Sequence, residues 1–348
     1  FTEHQTNQPI TMHAKPSFAV IALTFLLFAS ACSKSGIGKY HPDEPKITVD
    51  STPLLSLSSN WKKATALMNN FPTGIQLYLS KTPVNGKTTV AYCLVFDPKF
   101  NIELKPVLAS ANKKVTDFYN EESGTKYACI NGGFFGTNAS YSLSMYNGQI
   151  DAINIKSLSR PYNGTNTSYY PTRGAFGISQ SNQPGVAWIY HVGTGNGMLY
   201  NYPQPAANLL NTAPLAVPSA TFPAGASLWN VKTAIGGSPV LIKNNVIRIS
   251  DNEELIAVDN TSSRARSAIG YTSSNKIVIL AVEGNNSNGG TGLTLAELAQ
   301  MMEEIGCIEA LNLDGGGSTT LTVNGQQTVK PSDGTERGVM TALIIKAL

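Results

Sequence analysis

The chain has 348 residues, 42% of them hydrophobic and only 14% charged, with 31 glycines and a formal net charge of +3. That is enough apolar residue for a sizeable core and too little basic charge for a nucleic-acid surface, and no basic stripe interleaved with aromatics is present. The low charge and the many glycines and uncharged polar residues suit an exported, loop-rich protein.

From Met12 the chain reads MHAKPSFAVIALTFLLFASACSKS, with Lys15 ahead of an apolar run from Phe18 to Ala29. That run is too short to span a bilayer and predicts a signal peptide. The small residues of ASAC predict lipoprotein-type cleavage before Cys32, which would carry the lipid. Residues 1–32 are therefore expected to be removed or lipidated, and 33–59, polar with Pro42, Pro45 and Pro53, to be a linker ahead of a folded domain over 60–348. The expected location is the bacterial cell envelope, on the periplasmic side or the cell surface. Membrane contact would be through the lipid alone, and the protein is expected to be a monomer.

Along the folded part, NWKKATALMNNF predicts a short helix, and GIQLYLSKT and TTVAYCLVFD predict a hairpin about PVNGK. KKVTDFYNEES predicts a helix followed by a strand into YACINGGFF. Residues 141–172 and 193–227 read as irregular excursions, the second a candidate lid. SRARSAIGYT and KIVILAVEG predict a hairpin about SSN. In TLAELAQMMEEIG, Thr294 and Glu297 form a capping box, Leu295, Leu298, Met302 and Ile305 share one face, and Gly306 ends the helix. Strand, helix and the strand CIEALNLD then predict a βαβ unit with parallel neighbouring strands. The expected fold class is α+β: a mixed β-sheet core with flanking helices, this C-terminal βαβ unit and long irregular loops. Cys93, Cys129 and Cys307 read as small buried residues, with a Cys129–Cys307 bridge left open.

In such a unit both strands end at one sheet edge, where ligands of open α/β sheets bind. Glu283 and Asp314 end the two strands, and each is followed at once by glycine. Adjacent strand ends would bring the carboxyl groups to about 5–5.5 Å, the retaining-glycosidase separation. Of four histidines only His191 lies in the folded region, which excludes histidine-based zinc sites, and no G-x-S-x-G elbow or P-loop is present. Carboxylates, arginines, hydroxyls and glycine turns remain. Paired acids suit glycoside chemistry. Arg264 and Arg266, two apart on a strand, and Arg337 suit a phosphate.

The blocks YACINGGFFG, TAIGGSPVLIKNN, RARSAIGY, TLAELAQMMEEIGCIEALNLDGGGSTTL and ERGVMTALII occur in this order over roughly 90–348. Together they resemble the phosphodiester glycosidase family. The resemblance implies a catalytic domain over 60–348 that hydrolyses a sugar-1-phosphate linkage in a phosphodiester-containing glycan or glycoconjugate. It would release a sugar such as N-acetylglucosamine and a phosphomonoester. Where relatives often carry an aspartate-glycine pair, this chain has Glu283-Gly284. On this reading Asp314 is nucleophile or electrostatic stabiliser and Glu283 the second carboxylate. Arg264, Arg266 and Arg337 bind the phosphate with the turn Gly315, Gly316, Gly317, Ser318 and Thr319. Asn131, Gly132 and Gly133, and Gly236, Gly237 and Ser238, complete the substrate-binding set. On this reading no cofactor is required. Two other readings use the same pocket: a glycan-binding lipoprotein without turnover, and a phosphodiesterase holding Ca²⁺ or Mg²⁺ on Asp314, Glu283 and the GNNSNGG loop.

Overall fold

Alternating apolar and polar residues need a pleated surface with one face covered, and three sheets of this protein cover one another. The computed structural model describes residues 52–286 and 289–348; the signal-peptide segment, Cys32 and most of the linker lie outside the described residues. The largest sheet has eight strands in the order Trp61–Lys63, Ile75–Ser80, Ala91–Phe96, Ile277–Val282, Arg266–Thr272, Cys307–Asn312, Val240–Lys243 and Val246–Ile247. A seven-stranded sheet is built on Arg173–Ser179, Pro184–Val192 and Val231–Gly236, and a five-stranded sheet on Ile102–Lys113, Lys126–Asn131, Leu321–Val323 and Val339–Ala347. Strand dominates, and the described residues include two α-helices.

One apolar cluster joins all three sheets, from Leu77, Leu94 and Ile279 through Phe176 and Trp188 to Ile130 and Leu343. The other face of the eight-stranded sheet is covered by the helix Leu295–Ile305, which buries Leu295, Leu298, Ala299, Met301, Met302 and Ile305. Its capping box forms as expected, and Gly306 ends it with φ of 100°. Truncating a fully buried leucine such as Leu298 to alanine costs about 2–5 kcal/mol. The helix Val115–Glu121 packs on the five-stranded sheet through Val115, Phe118 and Tyr119.

Several expectations give way to long-range pairing. Residues 60–71 form the strand Trp61–Lys63 and a 3₁₀ turn, Thr65–Leu67, not a helix, because Trp61 and Lys63 pair with Ser80 and Tyr78 at the sheet edge. The segment 141–172 contains two hairpins, Ser144–Tyr146 with Gln149–Ala152 and Leu158–Tyr162 with Thr165–Tyr169. They turn on Asn147-Gly148 and Asn163-Gly164, all four at positive φ, the strongest short hairpin signal. Within 193–227, Met198–Tyr202 is a strand and much of the remainder is irregular. Upstream, Gln76 bonds Thr52 and Leu54, so the chain is docked from Thr52 onward. All three cysteines are free and buried; Cys129 lies in the five-stranded sheet's cluster and Cys307 in the helix-covered one, so no bridge joins them.

The βαβ expectation is corrected in one respect that matters for the site. Ile277–Val282 and Cys307–Asn312 do run in the same direction, since each is antiparallel to Arg266–Thr272. That strand lies between them, so they are not neighbours, and every pairing in the eight-stranded sheet is antiparallel.

Candidate active site

Three glycine turns converge beyond the ends of these strands. The first follows Lys126–Asn131 and carries Asn131, Gly132 and Gly133. The Gly132 carbonyl accepts from Asp314 N at 3.1 Å, and Asn131 Nδ2 donates to the Asp314 carbonyl at 2.7 Å. Asn131 Oδ1 accepts from Ser267 Oγ at 2.8 Å and Thr320 N at 3.2 Å. The Asn131 amide is thus a buried joint between strand ends. A Cβ on Gly133 would fall 2.2 Å from the Gly236 carbonyl, so the first turn touches the second.

The second turn, Gly236, Gly237 and Ser238, is fixed by Gly237 N to the Gly174 carbonyl at 3.0 Å and Ser238 N to the Asn312 carbonyl at 2.9 Å. Asn312 answers with Nδ2 to the Ser238 carbonyl at 2.7 Å. The Ser238 hydroxyl donates to Glu254 Oε2 at 2.6 Å. Glu254 is fully buried and also accepts from Gly174 N, Val240 N, Trp188 Nε1 and Ser250 Oγ. A buried carboxylate with that many donors is satisfied without a cation. Glu254 escaped the sequence reading because its partners come from four separate segments. Ser267 was also missed; its signal is a hydroxyl inside the apolar run SAIGY.

The third turn bears Asp314. Leu311 and Leu313 anchor it in the core, and Leu313 N bonds the Ser267 carbonyl at 2.9 Å. Gly316 N bonds the Ala265 carbonyl at 2.8 Å, and Gly316–Ser318 is one turn of 3₁₀ helix. Gly316 has φ of 59°, which a side chain rarely adopts. Gly317 allows close approach: a Cβ there would sit 2.0 Å from Asp333 Oδ2 and 2.2 Å from Arg337 Nη2. Asp314 is partly buried, and Oδ1 accepts from Gly315 N at 2.9 Å. Burial pushes its carboxyl up to about 6, against the opposing pull of the Ser318 hydroxyl, the Gly315 N–H and the Arg337 charge. Ser318 Oγ is buried and close enough to act on the Asp314 carboxyl, though their geometry falls short of a full hydrogen bond, and Thr319 Oγ1 accepts from Ser267 at 3.3 Å.

The three arginines differ. Arg337 is half-exposed, paired with Asp333 through Nε at 2.9 Å and Nη2 at 2.6 Å, and close enough to Asp314 to lower its pKa. Arg266 is buried, and its guanidinium is held by backbone carbonyls: Leu293 at 2.8 Å, Ser262 at 3.1 Å and Asp259. Burial pulls its pKa down to about 10, so it stays charged at neutral pH. Arg264 is half-exposed and pairs with the Asp259 carboxylate at 2.7 Å. Both close on one loop, 259–262.

Glu283 ends its strand at the same sheet edge as Asp314, with the Ala265–Ser267 backbone running between them. Two ladder steps separate the strands, roughly 9–10 Å; the adjacent-strand basis for a 5–5.5 Å carboxyl separation is therefore gone. Glu283 is buried, and its oxygens accept from Gly290 N at 3.0 Å and Lys330 N at 2.9 Å. It lines a hollow of about 450 Å³ with Lys81, Tyr92, Thr328 and Lys330. Ser287 and Asn288 of the GNNSNGG loop lie outside the described residues. Among the described residues, no three His, Cys, Asp or Glu side chains are grouped so as to share a cation. His191 is buried between Asn154 N and the Asn196 carbonyl, and burial holds its pKa down at about 4.

The phosphodiester glycosidase family model matches residues 125–346. The chain is 32% identical over 109 residues to the N-acetylglucosamine-1-phosphodiester alpha-N-acetylglucosaminidase of Bos taurus, covering 28% of this chain and 20% of that protein. It is 39% identical over 80 residues to the SPbeta prophage-derived uncharacterized protein YomE of Bacillus subtilis, covering 23% of this chain and 12% of that protein. The aligned region is thus a small part of either relative. Among solved structures, the catalytic domain of the zebrafish N-acetylglucosamine-1-phosphodiester alpha-N-acetylglucosaminidase, auto-inhibited by its pro-peptide, superposes with a TM-score of 0.54. Sequence identity is 17%, over 80% of this chain and 84% of that one. A hypothetical protein from Synechocystis gives a TM-score of 0.54 at 18% identity, over 85% and 64%. At these identities the likeness is one of fold.

Proposed function

Since this chain belongs to the phosphodiester glycosidase family, we propose that it is a hydrolase of glycosidic phosphodiesters, cleaving the bond between a sugar C1 and a phosphate oxygen. The observation that carries this reading is the desolvated Asp314 carboxyl, set among three glycine turns with Arg337 beside it. When the C1–O bond breaks, its electron pair leaves on the phosphate oxygen and positive charge develops at C1. Water supplies the hydroxyl that ends on C1, and its proton passes to the departing phosphomonoester or to solvent.

A phosphomonoester, with a second pKa near 6, needs little protonation to leave. What the site must do is hold the phosphate and stabilise C1. The Asp314 carboxylate is poorly solvated, so it gains most when a positive centre forms beside it, which favours the transition state over the ground state. Arg337 is assigned to the phosphate together with the N–H groups and hydroxyls of Gly315–Thr319. Arg264 is assigned as a second, exchangeable cation at the rim. Arg266 is given a positioning role, because three carbonyls already occupy its guanidinium. Glu283 orders the loop through Gly290.

The sugar is proposed to be N-acetylglucosamine or a close relative, in line with the name of the Bos taurus protein. The site of action is proposed to be the bacterial cell envelope, through a lipid on Cys32. The test is incubation with the nitrophenyl diester of N-acetylglucosamine 1-phosphate, reading released reducing sugar, with and without chelator. Turnover that persists in chelator and disappears in Asp314→Asn is expected. No released sugar from the wild-type chain would leave a glycan-binding protein, and loss with chelator would turn the reading to a metal-dependent phosphodiesterase.

A further inference from the structure

Along Cys307–Asn312 and onward, Glu309, Leu311 and Leu313 alternate onto the face that meets the seven-stranded sheet. Leu311 and Leu313 join the main core, whereas Glu309 sets a carboxylate at the same interface, 5% exposed. Its Oε2 accepts from Val186 N at 2.8 Å, and its Oε1 pairs with Lys243 Nζ at 2.7 Å. Lys243 also donates to the Val186 carbonyl. Stability does not explain such a pair, since apolar residues of like volume hold an interface equally well or better.

Beside the pair a hollow of about 450 Å³ opens between the sheets, within the range of small-molecule sites. Of its aromatic lining residues Trp229 is half-buried, while Tyr202 and Tyr271 are buried and show little surface, and the lining includes Asn201, whose Nδ2 is held by Ser227 and whose Oδ1 remains an acceptor. Trp229 Nε1 makes no hydrogen bond within the described residues. The lining therefore offers the Trp229 indole together with a donor and acceptors, and its formal charges cancel. An anion would meet Glu309 and a cation would meet Lys243, and because the two are already paired the hollow presents no net charge to a guest.

We propose that this hollow is a second ligand site, which binds a neutral oligosaccharide through its hydroxyls and ring faces. Glu309 and Asp314 are five residues apart on one extended segment, about 16 Å at 3.3 Å per residue, so this site is separate from the glycine turns. The proposal does not depend on the chemistry assigned to Asp314.

The test is titration of the whole folded chain with maltotetraose, cellotetraose, mannotetraose and tetra-N-acetylchitotetraose, followed by calorimetry. At least one is expected to bind wild type, and the double variant Lys243→Met/Glu309→Gln is expected to weaken that binding at least tenfold. Its diester turnover and melting temperature should match wild type. If the double variant does not melt cooperatively, Asn201→Ala, at the exposed rim, decides alone, with a several-fold loss expected. Failure of all four sugars to bind wild type, or unchanged binding in the deciding variant, overturns the proposal. Should the diester prove not to be a substrate at all, the wild-type chain shows that by itself, and the melting temperature remains the check on folding.

Discussion

Asn131 Nδ2 donates to the Asp314 carbonyl at 2.7 Å, tying the end of a strand in the five-stranded sheet to the end of one in the eight-stranded sheet. Because Gly132 also accepts from Asp314 N, the backbone on both sides of Asp314 is held while its carboxyl is left to face the turn. The site is rigid where the acid is attached, which is the property that electrostatic stabilisation of a transition state requires.

Replacing Asp314 with asparagine is therefore expected to lower kcat on the nitrophenyl diester by at least about 100-fold, the scale of losing one preorganised electrostatic group. Folded Asp314 titrates near 6, above its ordinary value of 3.8, so its ionisation in the native state opposes stability as pH rises through that window. The variant should melt within a few degrees of wild type at pH 7, on the stable side. Parallel kinetics and thermal melts check both halves.

The acid limb of the kcat/KM profile should have its midpoint near pH 6, with activity rising as Asp314 ionises. Arg337 lowers that pKa. Arg337→Met should move the midpoint upward and raise KM for the diester. An acid limb that stays in place in Arg337→Met would contradict the assigned proximity.

Gly317→Ala places a methyl where Asp333 and Arg337 now sit. Both side chains are half-exposed and can swing away, so the fold should survive with a melting temperature within a few degrees. Binding should suffer instead: KM is expected to rise at least several-fold, because the guanidinium is displaced from Asp314. Steady-state kinetics on the diester reads this directly.

Arg264→Ala and Arg266→Ala should separate. The first removes an exposed ion pair, worth about 0.2–1 kcal/mol, and should act on KM. The second leaves the Asp259 and Ser262 carbonyls without their donor, while Leu293 keeps Arg264 N, and should cost several kcal/mol, on the scale of about 1–3 kcal/mol per unsatisfied buried group. Urea denaturation distinguishes them.

Glu254→Gln changes one oxygen of a five-donor acceptor into a donor. Whichever oxygen is replaced, a backbone N–H of Gly174 or Val240 loses its partner. A loss of about 1–3 kcal/mol in unfolding free energy is expected, with slower turnover because the Gly236–Ser238 turn loosens.

Features carried by neighbouring residues were legible in the chain itself. Thr294, Glu297 and Gly306 mark both ends of the helix, because capping bonds span only a turn. The Arg266–Thr272 and Ile277–Val282 hairpin was equally plain, and the three glycine turns stood out as breaks after apolar strands. The two Asn-Gly hairpins within 141–172 were there to be read from the same kind of local signal. The sequence alone also determined the short list of possible chemistry, by offering acids, arginines and hydroxyls and almost no histidine. Only the tertiary structure decided which of these meet. It inserted Arg266–Thr272 between the strands of Glu283 and Asp314, turned Arg266 inward onto carbonyls while leaving Arg337 over Gly317, and gathered five donors on Glu254. Strand order and buried hydrogen bonds join residues far apart in the chain, 189 positions for the bond between Thr320 and Asn131 and 245 for the paired residues Ile102 and Ala347. They are selected by the burial of whole sheet faces, which no local pattern encodes.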